Sequence, residues 1–109
     1  MKKTFLLAAS LTILALAARA AEVAENWEKN CMACHGKDGK GATKAGRMAG
    51  VKDFTDEAYQ KSFSDEKAHA SIKDGIKDDK GKEKMKAFAE KMTDDEITAL
   101  VAYVRALKK

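Results

Sequence analysis

An all-α fold follows from three features of this sequence. Its last segment opens with Thr93-Asp94-Asp95-Glu96 and continues with Ile97, Leu100, Val101, Val104 and Leu107. That is a capping box followed by an apolar stripe at i, i+3, i+4 and i+7. No stretch alternates apolar and polar residues at the period of a strand. Proline is absent altogether, so glycines and polar caps must punctuate the chain.

The N-terminus is set apart from the fold. Lys2 and Lys3 precede an apolar run over residues 5–18, and Ala18-Arg19-Ala20 fits a small-x-small cleavage site. This is the pattern of a secretory signal peptide covering residues 1–20. The run is shorter than the roughly 20 residues a spanning helix needs. No cysteine stands at the cleavage site to take a lipid. The expected mature chain is one domain, residues 21–109, with no membrane span. The leader carries three of the 21 basic residues and none of the 17 acids, so the mature chain balances to within one charge. The overall pI near 9.0 is therefore no argument for nucleic-acid binding. A domain this small, with few aromatics, gains from a staple such as a disulfide, metal or apolar cofactor.

The elements follow in order. Residues 22–34 place Val23, Trp27 and Cys31 or Cys34 near helical spacing, and Gly36 is a fitting stop. Residues 36–54 hold five glycines among lysines and predict a loop. A phosphate cradle fails there, because Ala42 stands where its lysine should be. Residues 55–75 predict one or two short helices, with N-terminal starts at Thr55-Asp56-Glu57 and Ser64-Asp65-Glu66. Phe63, Ala68, Ile72 and Ile76 form their apolar stripe, and Gly75 ends the second. Residues 77–92 are lysine-rich around Met85 and Phe88. Taken alone, Met85, Phe88 and Met92 at i, i+3 and i+7 would be the core face of a helix.

The chemistry concentrates in Cys31-Met32-Ala33-Cys34-His35. A redox dithiol of this spacing normally follows a strand in a βαβ unit, which is missing. A closed zinc site needs four ligands, and beyond these three only His69 and carboxylates remain. The third possibility is covalent haem attachment, which C-x-x-C-H specifies directly. Each thiol adds across a porphyrin vinyl group, the two-residue gap matches the vinyl separation, and the next residue falls beneath the iron. The opposite face of the iron then decides function. A methionine there closes the site for electron transfer, whereas an open face admits ligands. Met32 lies on the wrong face. Met85, 50 residues beyond His35 and expected on a loop, has enough chain to return on the other side. Met92 and Met48 are the alternatives, and His69 reads as a surface or half-buried histidine.

The sequence resembles the small soluble bacterial cytochromes c with an N-terminal haem motif. WEKNCMACHGKDGKG, the MKAF around Met85 and the C-terminal TDDEITALVAYVRAL carry the resemblance, which covers nearly all of residues 22–109. It implies about four helices around one haem c, with the Trp27 helix crossing the last helix near Leu100–Tyr103. It implies Cys31 and Cys34 as thioether sites, His35 as proximal ligand and Met85 as distal ligand. It further implies a monomeric, periplasmic one-electron carrier rather than an enzyme, working between membrane or periplasmic redox partners. A five-coordinate haem protein that binds a small gas or acts as a peroxidase is the alternative.

Two departures matter. Lys86 follows Met85 where many relatives have proline, and the loop GATKAGRMAG also lacks one. A backbone carbonyl between Thr43 and Ala49 is expected to accept the second imidazole N–H of His35. Arg47 is the candidate partner for a haem propionate. Lys77, Lys80, Lys82, Lys84 and Lys86 near Met85, with Lys37, Lys40 and Lys44 after His35, suggest a basic face for an acidic partner.

Overall fold

The computed structural model describes residues 18–109. Most of the expected leader, residues 1–17, lies outside the described residues. Helix α1 covers residues 18–30 and is followed by α2 (Met32–His35), α3 (Lys44–Ala49), α4 (Glu57–Lys61) and α5 (Asp65–Asp74). A short hairpin of β1 (Ile76–Lys77) and β2 (Glu83–Met85) precedes α6 (Asp94–Ala106). None of the described helices is long and apolar enough to cross a membrane.

The caps account for the helix boundaries. Ser64 Oγ accepts from Lys67 N and starts α5, and Asp56, rather than Thr55, caps α4. The Thr93–Glu96 capping box is complete at α6. The stripe it predicted is buried: Ile97 and Leu100 are each 1% exposed, with Val101 and Val104 beside them. Burying each of these side chains stabilises the fold by about 1.5–3 kcal/mol.

Trp27, Ile72, Phe88 and Met92 complete the core. The Trp27 ring lies 5.1 Å from that of Tyr103, so α1 meets α6 at the expected place. Asn26 Nδ2 donates to Glu96 Oε2 at 3.3 Å across the same contact.

One local expectation changes. Residues 36–54 are not all loop, because Thr43 caps α3 and Gly50, in the left-handed conformation, closes it. Six residues between glycines leave too little periodicity to see. The all-α class holds as a mostly helical domain, to which a short two-stranded antiparallel hairpin, Ile76 opposite Met85, is added. Strands of two and three residues cannot display an alternation. The described helices number six, the short α2, α3 and α4 among them.

Candidate functional site

The segment carrying the cysteines is a helix interrupted at Cys31. Cys31 N still donates to Trp27 O at 2.9 Å, and His35 N donates to Cys31 O at 2.9 Å. The buried indole of Trp27 donates through Nε1 to Gly36 O at 3.1 Å, which fixes the turn after His35. Gly41 N donates to His35 O at 2.8 Å. Thr43 Oγ1 reaches the carbonyls of Ala33 and Cys34 at 2.8 and 3.0 Å, locking α3 against α2. Gly46 makes that contact possible, because a Cβ there would overlap the Cys34 carbonyl.

Both thiols are free. Burial, with a smaller contribution from Cys34, pushes the Cys31 thiol up to about 11. A thioredoxin-type nucleophile needs the opposite shift. His35 stacks on Phe54 at 4.9 Å and 22°, with Trp27 at 5.8 Å on its flank. Burial lowers the His35 pKa and favours the neutral imidazole, the form that ligates metals.

The expected carbonyl between Thr43 and Ala49 does not reach this ring. His35 Nδ1 is buried without a hydrogen-bond partner. The segment's carbonyls are instead engaged in the bonds that build and close α3. Thr43 O accepts from Arg47 N, Gly46 O from Val51 N, and Arg47 O from Gly50 N.

Cys31, His35 and Met85 line one cavity of about 210 Å³. Its other walls are mostly apolar: Trp27, Phe54, Phe63, Ala68, Ile72, Leu100 and Val104 among them. Cys34 is half-buried on α2 and is not part of the lining. Met85 reaches the cavity from the end of β2. Phe88 N donates to Ile72 O at 2.9 Å and Ala89 N to Lys73 O at 3.1 Å, tying the chain after Met85 back to α5. The other candidates are elsewhere: Met48 is 76% exposed and Met92 is packed in the core. His69 lies in a larger surface groove of about 600 Å³ between α5 and α6, near Asp94 at 3.8 Å. That groove is charged and holds none of the other candidates.

One group of site-building residues had no local sequence signature. Buried Gln60 donates through Nε2 to Phe54 O (2.7 Å) and Val104 O (2.8 Å). The Arg105 guanidinium bonds Gln60 O, Gln60 Oε1, Phe63 O and Asp65, and lies 4.3 Å over the Phe63 ring. This knot ties α6 to the segment carrying Phe54, Tyr59 and Phe63.

The residues fit a covalent haem. A neutral imidazole and a thioether share a largely apolar cavity, and one thiol stands in its wall beside the imidazole. A family model described as "Cytochrome c" matches residues 18–108. Cytochrome c2 of Rhodospirillum rubrum is 33% identical, in an alignment covering 99% of this chain and all of that protein. Among solved structures, the KustC0563 c-type cytochrome matches with a TM-score of 0.69 and 35% identity, over 79% of this chain and 96% of its own. A point mutant of the same cytochrome matches at 0.65 and 34%, over 77% and 95%.

Proposed function

This chain belongs to the cytochrome c family and is an electron carrier with one covalently attached haem c; from that premise we propose that it shuttles single electrons outside the cytoplasm, with His35 and Met85 as axial ligands. The observation that carries the ligation is the shared cavity: Cys31, His35 and Met85 line it together, while Met48 and Met92 do not. Bound haem supplies a one-electron ferric–ferrous couple.

The chain's own residues set the conditions for that couple. Cys31 and Cys34 would hold the group covalently through their sulfurs. His35, neutral and stacked on Phe54, presents an imidazole whose orientation the aromatic wall restricts. Met85, held by the hairpin and by the bonds of Phe88 and Ala89 to α5, would supply a thioether ligand to the iron. Apolar walls keep water from the centre and so keep its solvent reorganisation small. Export to the periplasm accords with the leader pattern and with haem attachment outside the cytoplasm. The protein acts with redox partners; as a monomer, it would meet them with the lysine-rich hairpin beside Met85.

The test is a redox titration of the exported protein, with its mass measured alongside. A mass increased by one haem and a spectrum that titrates as a single one-electron couple support the carrier. A colourless protein with two thiols, made alongside a working attachment system, contradicts it.

A further inference from the structure

Haem is not uniformly apolar. The edge opposite its vinyl groups carries two carboxylates, and a carboxylate against an apolar wall is costly unless it is paired. The cavity offers one charged side chain for that purpose, Lys67. We infer that the Lys67 ammonium pairs with a haem propionate at the exposed edge of the cavity. The inference rests on the haem reading above and adds a residue that it does not contain.

Three observations carry it. The first is position. Starting from Trp27, on the helix that leads into Cys31, an aromatic wall runs to Phe54 at 6.5 Å. It continues from Phe54 to Tyr59 at 5.8 Å and to Phe63 at 6.3 Å. Tyr59 and Phe63 end this run of rings on the segment that leads into α5. Lys67 lies in the first turn of α5, just beyond Phe63, with its backbone fixed by the Ser64 cap at 3.0 Å. The second is availability. Lys67 forms no salt bridge among the described residues. Tyr59 lines the same wall with a phenol whose pKa burial raises further, adding a neutral donor.

The third is the placement of the competing cations. Arg47, the candidate in the sequence, is exposed, donates to Ala42 O at 3.2 Å and does not line the cavity. Arg105 is committed to Gln60, Phe63 and Asp65. The difference between Arg47 and Lys67 is one of elements. Arg47 is close to His35 in sequence, but α3 turns it outward, whereas α5 brings Lys67 to the mouth.

The experiment is NMR of the reduced holoprotein, with redox titrations of Lys67→Gln, Lys67→Arg and Arg47→Gln. A spectrum taken first on each sample establishes that haem and axial ligands are in place, so a failure of ligation is seen separately. Nuclear Overhauser contacts between the Lys67 ε-methylene and a propionate methylene are expected. Lys67→Gln should lower the midpoint potential, because an unpaired carboxylate stabilises the ferric charge. Lys67→Arg should restore most of that loss, and Arg47→Gln should leave the potential near wild type. Propionate contacts to Arg47 with none to Lys67, or equal shifts in the two Gln variants, would overturn the assignment.

Discussion

Gln60 shows how one residue decides whether the aromatic wall stands. Its amide is 4% exposed and satisfies the carbonyls of Phe54 and Val104 at once. Truncation leaves buried acceptors without a donor, at about 1–3 kcal/mol each. Gln60→Ala should therefore lower the urea midpoint by the equivalent of about 2–4 kcal/mol with the slope unchanged. A loss within about 0.5 kcal/mol, the ordinary range for a surface change, would mean that Gln60 ties nothing together. That Cys31 and His35 share one wall was legible in the sequence, because they lie within five residues of each other. Met85 was favoured in the sequence over Met92 and Met48, but which methionine borders the cavity depends on how the chain folds back towards it. The Gln60–Arg105 pair was not legible, because its members are 45 residues apart and each looks like an ordinary surface residue in its own helix. Lys67 was hidden in the same way: nothing in its neighbours says that one face of its helix borders a cavity.

Among the elements, the hairpin and α6 present opposite cases. The start of α6 is written in four consecutive residues, and its capping box is present as expected. Thr93→Ala should cost about 1 kcal/mol through the lost cap and leave the haem spectrum unchanged. The hairpin has no such local text. Its entry is Gly75, at φ +76° and ψ −177°, a region essentially confined to glycine. A Cβ there would stand 2.5 Å from Met85 O. Gly75→Ala should thus cost about 1–3 kcal/mol in backbone strain and push Met85 away as well. The expected signature is a weakened methionine–iron band in the folded protein, which Thr93→Ala does not show. Equal stability losses with both bands intact would separate Gly75 from the placement of Met85. The glycine-rich stretch teaches a related lesson: its composition suggested only loop, yet Thr43 and Gly50 are a proper start and stop for the short helix between them.

Across the whole molecule, the formal net charge of +4 is unevenly spread. Lys77, Lys80, Lys82, Lys84 and Lys86 outnumber Asp78, Asp79 and Glu83 in the exposed stretch that leads to and just past Met85. Association with an acidic redox partner should slow as ionic strength rises, measured by stopped-flow under second-order conditions. A rate independent of salt would remove steering from the account. Three carboxyls have folded pKa values held below the usual range: Glu25 by its hydrogen bond to Lys29, Asp53 by the Thr55 hydroxyl, and Glu96 by the Thr93 backbone N–H. Because the folded values are depressed, their stabilisation is present above the unfolded carboxyl pKa of about 4 and is lost as pH falls below it. Urea midpoints should be level from neutrality to about pH 5 and decline below about pH 4. The mostly helical class and the crossing of α1 with α6 were legible in the sequence because stripes and caps are local. The closing of a cavity by three distant segments is a property of the assembled chain. That closure is tested most directly by the optical spectrum of the exported protein beside Met85→Ala. A c-type spectrum with a methionine–iron charge-transfer band, lost in the variant while the haem stays attached, is the expected result. A band that survives the substitution, or is missing from the unsubstituted protein, would contradict Met85 as the ligand facing His35.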